Sequence, residues 1–202
     1  MSAYKDKTET APLTWSEFET FTSKLVMDIQ VHKQLSRCRI LMGAAVSTYC
    51  GLRAGDMLAL RWRDLVNHQN LVVVEQKTGK RRDITLNRNL QNLIASIYSA
   101  LGSPPLDHFI MGSNRSKGTK PITIQYYNRE INQAFQHYGV KTLNPSSHTF
   151  RKTFGLRVFE SYNRTEEALI TLSQIFNHSS IAITRRYIGL QQQRIADVYM
   201  SL

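Results

Sequence analysis

The 202-residue sequence has no long apolar run, only two cysteines, and few acids for its bases. Each shortage narrows what the chain can be. The uncharged stretch Ile40 to Leu52 in the N-terminal half is interrupted by Ser, Thr and two Gly. It falls well short of the ~20 apolar residues that a membrane-spanning helix needs. The opening MSAYKDKTETAP is polar and lacks the apolar segment of a secretory signal. Cys38 and Cys50 stand alone, with no CxxC and no second pair, so neither a disulfide scaffold nor a zinc site is supported. These absences leave a reduced, soluble, cytoplasmic protein as the expectation.

Acids number 15 against 26 Lys and Arg, a formal net charge of +11. The excess is spread along the chain: residues 1–101 hold 14 bases and 9 acids, and residues 102–202 hold 12 and 6. It is therefore no basic tail on a neutral domain. It favours polyanionic partners, nucleic acid first and an anionic membrane surface second. A 42% apolar fraction is ordinary for a folded chain, and the length suits one ample domain or two small ones.

Residues 1–12 read as a disordered lead-in. Thr14-Trp15-Ser16-Glu17 has the form of a capping box, and Phe18, Phe21, Leu25 and Ile29 follow on one helical face. Further helices are predicted over about 34–49, where Gly51 is placed to end the turn, and over 56–62, 89–101, 123–138, 148–161, 166–176, 180–187 and 191–200. Leu71–Glu75 and Asp83–Leu86 are β-prone and flank the turn Lys77-Thr78-Gly79-Lys80, which predicts a hairpin. Phe109–Met111 is expected to add a third strand, and Ser113–Thr119 to form a loop. The fold class is thus α+β, mainly α, with one small antiparallel sheet.

Four local features carry chemistry, each with an ordinary reading when taken alone. Gly51-Leu52-Arg53-Ala54-Gly55-Asp56, followed by Leu58-Ala59-Leu60-Arg61-Trp62, puts an arginine just past a helix end. Lys77-Thr78-Gly79-Lys80-Arg81-Arg82 is a basic turn. His148 and Arg151 share one face of a helix at i, i+3. His178 precedes Tyr187 by nine residues, which would set them on opposite faces of a straight helix. They can converge only if His178 lies in a loop before a helix capped at Ser179 or Ser180.

In this order and at these separations, the pattern resembles the catalytic domain of the tyrosine recombinase (phage integrase) family. The resemblance covers about residues 13–190 and rests on the ensemble: GLR-x-x-D-x-L-x-L-x-W, a hairpin lysine, H-x-x-R, then H-x-S-x-x-x-T-x-x-Y. One departure is Asn177, where the family has Gly. Asn tolerates left-handed backbone, so the turn is expected to survive. Asp56 stands where the family has Glu or Asp.

The resemblance implies a helical catalytic core and a set of roles. Tyr187 would attack the scissile phosphate and form a 3′-phosphotyrosyl link. Arg53 and Arg151 would hold its non-bridging oxygens, and His178 would add a third donor. Lys77, with Lys80 as a rival, would protonate the leaving oxygen, His148 would take the tyrosine proton, and Asp56 would support the cluster. No metal, cofactor or ATP is expected. Lys80, Arg81, Arg82, Arg115, Lys117, Lys120 and Lys152 are expected to contact DNA phosphates. The partner would be double-stranded DNA, with the protein a monomer when free and a tetramer on DNA, aided by accessory bending proteins, in a bacterial or phage setting. Residues 191–202 would be a helix exchanged between subunits. Rival readings are a DNA-binding protein of this fold without the chemistry, a type IB topoisomerase-like enzyme, and a basic membrane-surface protein. The last lacks the long amphipathic basic helix it needs.

Overall fold

A computed structural model describes residues 10–190 and 199–200 of the chain. The elements run α1 (Trp15–Gln30), α2 (Arg37–Cys50), α3 (Ala54–Leu58), β1 (Asn70–Val74), β2 (Arg81–Thr85), α4 (Arg88–Ala100), α5 (Ile124–Tyr138), α6 (Ser147–Ser161), α7 (Glu166–Phe176) and α8 (Ile181–Tyr187). Local chemistry sets most of the starts. Thr14 and Glu17 form the expected capping box of α1, and the side chains of Asn87, Thr123, Thr165 and Ser180 cap α4, α5, α7 and α8. Each satisfies an amide that the first turn would otherwise leave free.

The main core is built around α2, whose run Ile40–Thr48 is buried on every side. Phe18, Phe21 and Leu25 of α1, Ile94 and Ile97 of α4, Tyr127 and Phe135 of α5 and Phe150 of α6 close over it. A second cluster, Phe159, Ala168, Leu169, Leu172, Phe176 and Ile188, joins α6, α7 and the end of α8. The two meet along α6, and the functional side chains lie on that seam.

The hairpin pairs Asn70 with Thr85 through Val74 with Arg81, antiparallel. Leu71 and Val73 face the core while Val72 and Val74 face out, the period of two expected of a strand. Phe109–Met111 does not become a third strand. Its amides are taken by separate loops, Phe109 N–H donating to Gly118 and Ile110 N–H to Leu60, so only an isolated bridge to Arg61 forms. The helix expected over 56–62 is instead α3 and a single 3-10 turn at Trp62–Asp64, where the Asp64 carboxylate accepts from Arg61 N–H. Of the lead-in expected at residues 1–12, Thr10 and Ala11 are anchored: Ala11 N–H donates to Leu143 and the Thr10 and Ser146 hydroxyls pair at 3.0 Å. The helix expected over 191–202 lies outside the described residues apart from 199–200. No described helix is long and apolar enough to cross a membrane.

Candidate active site

The start of α6 places the first pair. Ser146 Oγ accepts from His148 N–H and Thr149 Oγ1 accepts from Ser146 N–H, both at 3.2 Å, which fixes the first turn. From it His148 reaches the surface and Arg151 turns inward, 3% exposed. The Arg151 guanidinium donates to the carbonyls of Gly51 and, at 3.4 Å, Phe176, and it lies 4.4 Å over the Phe176 ring. Arg53, the residue capping α3, donates to the same Phe176 carbonyl at 3.0 Å. One carbonyl at the end of α7 therefore holds both guanidiniums together.

Two glycines permit that convergence. Gly51 ends α2 with φ 61°, and a Cβ there would run into the Phe154 ring at 2.7 Å. Only glycine suits a left-handed residue under such contact. Gly155, on α6, lets Ile188 and Phe176 approach so closely that a Cβ would stand 2.5 Å from Ile188. Ile188 follows Tyr187, so this contact draws the end of α8 onto α6.

The chain then reverses at Asn177, which adopts φ 54° and ψ 48° as expected of an asparagine in place of glycine. His178 lies in the loop, Ser180 caps α8, and the His178 Nδ1 meets Thr184 Oγ1 at 2.9 Å. The geometric condition set by the nine-residue spacing is thereby met: the His178 and Tyr187 rings are 5.3 Å apart, edge to face. His148 Nδ1 stands 3.4 Å from the Tyr187 hydroxyl.

Burial and charge tune these groups in one direction. Loss of water pushes the Tyr187 phenol above its ordinary value, partly offset by Arg151 and Arg53, so it is protonated at neutral pH. Loss of water, then the charges of Arg151 and Lys152, lowers His148. Loss of water, then Arg151, Arg53 and Lys77, pulls His178 down to about 4. Arg151 itself is lowered to about 10, chiefly by burial, and still keeps its charge. A neutral imidazole facing a protonated phenol is the protonation pattern that a general base requires.

On the hairpin side the placement differs from expectation. Asp56 is buried. Its Oδ1 accepts from Gln76 N–H at 2.9 Å, while the Gln76 side chain donates to Gly55 at 3.2 Å, so Asp56 anchors the base of the turn. Lys77 is exposed, near enough for its charge to weigh on His178. Lys80 donates to Asn177 Oδ1 at 2.7 Å, which puts the rival lysine beside the His178 loop. Arg82, expected on DNA, points inward to Glu75 at 3.5 Å and to the Cys50 carbonyl at 3.2 Å. Lys152, also expected on DNA, is 5% exposed with Nζ 5.3 Å from the Tyr187 ring centre. Both were assigned by charge alone, and interior acceptors and an aromatic face outcompete solvent there. Arg81, Arg115, Lys117 and Lys120 remain exposed.

Sequence reasoning passed over Glu75. It is 1% exposed, with Oε2 2.6 Å from Arg53 and 2.8 Å from the Thr78 hydroxyl. The signal was present: alternation puts Glu75 on the same side of the strand as buried Leu71 and Val73.

The chain is similar to known proteins over most of its length. Residues 21–194 match the model of the phage integrase family. The probable integrase/recombinase YoeC of Bacillus subtilis (strain 168) is 35% identical over 149 residues, 73% of this chain and 76% of that one. The structure of XerH site-specific recombinase bound to palindromic difH substrate, a post-cleavage complex, superposes with a TM-score of 0.68 at 16% identity. It covers 94% of this chain and 52% of that one. A lambda integrase tetramer bound to a Holliday junction gives a TM-score of 0.62 at 18% identity, over 93% of this chain and 50% of that one. These two likenesses concern the fold, and the chain spans about half the length of each. With the catalytic-type residues gathered around one tyrosine and the match extending over nearly the whole sequence, the chain belongs to the phage integrase family.

Proposed function

We propose that residues 13–190 are the catalytic domain of a site-specific DNA recombinase that cuts and rejoins strands through a 3′-phosphotyrosyl link on Tyr187. The observation that carries this is the surroundings of one phenol. His148 Nδ1 lies 3.4 Å from its hydroxyl, and two guanidiniums held by a single carbonyl stand beside it. A phosphate is the group that two fixed guanidiniums and a nearby nucleophile suit together.

In cleavage, a bond forms from the Tyr187 oxygen to phosphorus as the bond to the 5′-oxygen breaks. The phenol proton passes to His148, and Lys77 delivers one to the leaving 5′-oxygen. Arg53 uses part of its five N–H groups on Glu75 and the Phe176 carbonyl, and Arg151 part of its own on the Gly51 and Phe176 carbonyls; those left over serve the charge gathering on the non-bridging oxygens. His178 supplies a third donor. Rejoining is the reverse, with a 5′-hydroxyl of the partner duplex as attacker. The phosphotyrosyl bond conserves the energy of the one broken, so no ATP enters.

Double-stranded DNA is the partner. Arg81, Arg115, Lys117 and Lys120 are exposed cations suited to backbone phosphates, which give affinity and salt dependence without sequence choice. The functional assembly is a tetramer on DNA formed from free monomers, with accessory bending proteins, in the cytoplasm. A suicide duplex nicked beside the cleavage point tests the central step. Wild-type protein is expected to accumulate a covalent adduct on denaturing gels, and Tyr187→Phe none. Adduct persisting in Tyr187→Phe would refute the assignment of the nucleophile.

A further inference from the structure

Among the described residues Glu75 is the one acid paired with Arg53, and no step of the reaction just described uses it. Its backbone frames the turn that carries Lys77: its N–H donates to Lys80 and its carbonyl accepts from Thr78 and Gly79. Its side chain reaches the other way. One carboxylate oxygen meets Arg53 at 2.6 Å and the Thr78 hydroxyl at 2.8 Å, and the other faces Arg82 at 3.5 Å. Burial pushes the carboxyl up, but hydrogen bonds from Arg53 and Thr78 and the charges of Arg53 and Arg82 outweigh that and hold it below its ordinary value. It is therefore ionised where its partners need a counter-charge.

We infer that Glu75 is a positioning residue for strand cleavage, orienting the Arg53 guanidinium toward the phosphate and tying it to the hairpin. This rests on the recombinase reading above. The geometry supports a directional clamp. Arg53 is gripped at one terminal nitrogen by Glu75 and at the other by the Phe176 carbonyl, so the planar fork has little rotation left. Arg82, itself donating to Cys50 at 3.2 Å, keeps the carboxylate from swinging away. Removing only the charge at Glu75 loosens the first grip while preserving size.

The experiment compares wild type, Glu75→Gln and Glu75→Asp on suicide duplexes with three scissile groups. These are the natural phosphodiester, a neutral methylphosphonate in each stereoisomer, and a 5′-bridging phosphorothiolate. On the phosphodiester, Glu75→Gln is expected to form adduct at least ~10-fold more slowly, as for a weakened oxyanion donor, with duplex affinity near wild type. On one methylphosphonate isomer, where less charge needs a guanidinium, the deficit is expected to shrink to within ~3-fold. The phosphorothiolate is expected to leave it in place, because the leaving group is not what is impaired. Adduct formation on the phosphodiester at the wild-type rate would overturn the inference. So would an equal deficit on phosphodiester and methylphosphonate, or full rescue by the phosphorothiolate, which would locate the effect at Lys77. If Glu75→Gln does not fold, Glu75→Asp decides by the same ratio, since it keeps the charge and falls short by one methylene. If wild type makes no adduct on any of the three, the recombinase reading itself fails, a result separable from failure of the inference.

Discussion

Two sets of cations gather near His178 and Tyr187, and they are held differently. Arg151 is buried at 3% exposure with donors on the Gly51 and Phe176 carbonyls, and Arg53 is locked between Glu75 and Phe176. Lys77 and Lys80 are exposed on a hairpin turn, the Lys80 ammonium bonded to the tip of Asn177. The difference matches two chemical demands. Charge developing on non-bridging oxygens is stabilised best by donors already oriented, which need no reorganisation in the transition state. A proton donor must come within hydrogen-bond reach of the leaving oxygen when the substrate arrives, and an exposed turn can close onto bound DNA.

The largest effect that would break this comparison is at Arg151. Arg151→Ala is expected to slow adduct formation by roughly 10³-fold and to lower stability by about 1–3 kcal/mol, because the Gly51 carbonyl loses its side-chain donor while Phe176 keeps only Arg53. Single-turnover cleavage and thermal melting report the two losses separately. Unimpaired cleavage would mean that fixed charge is not what the site uses. Next in size is the hairpin. Lys77→Ala is expected to cut cleavage of a natural phosphodiester by roughly 100-fold while leaving the melting temperature alone. A 5′-bridging phosphorothiolate, whose leaving group needs no proton, should restore it. If Lys80→Ala shows that rescue and Lys77→Ala does not, the donor is the lysine beside Asn177.

Much of this arrangement was legible because it depends on local chemistry. The Thr14–Glu17 box, the Ser180 cap and the left-handed Asn177 are decided by residues within a few positions of one another, and the last two turn the chain so that His178 comes round to Tyr187. What was not legible depends on distant partners. Nothing near Arg82 or Lys152 says that a buried acid or the Tyr187 ring will draw it inward. In a chain so rich in bases, an inward cation looks like its exposed neighbours. The partner of Asp56 is likewise distant: its carboxylate takes the Gln76 amide, twenty positions away. The apolar run at Phe109–Met111 has strand composition, but its amides go to the distant Gly118 and Leu60 carbonyls, so it forms only an isolated bridge.

The smallest effect sharpens the comparison from the side of the histidines. His178 is pulled from 6.5 to about 4 in the folded protein, by burial first and then by Arg151, Arg53 and Lys77 in that order. His148 is lowered as well. A group whose folded pKa lies below its unfolded one binds fewer protons when folded. Its contribution to stability is therefore whole above the unfolded value and is lost as pH falls through the window toward the folded one. Melting temperature is expected to hold from pH 8 to about 6.5 and then to decline by roughly 2–6 °C toward pH 4.5, with a shallower decline in His178→Gln. His178 is half-buried, so solvent keeps the loss modest. The same histidine weighs the two sets of cations against each other. In imidazole proton NMR titrations, Arg53→Gln should raise the His178 pKa more than Lys77→Gln does, because the clamped guanidinium acts at fixed range and the exposed lysine through water. Equal shifts would mean that the hairpin lysine is held as firmly as the arginine, and the contrast between fixed and mobile charge would not survive.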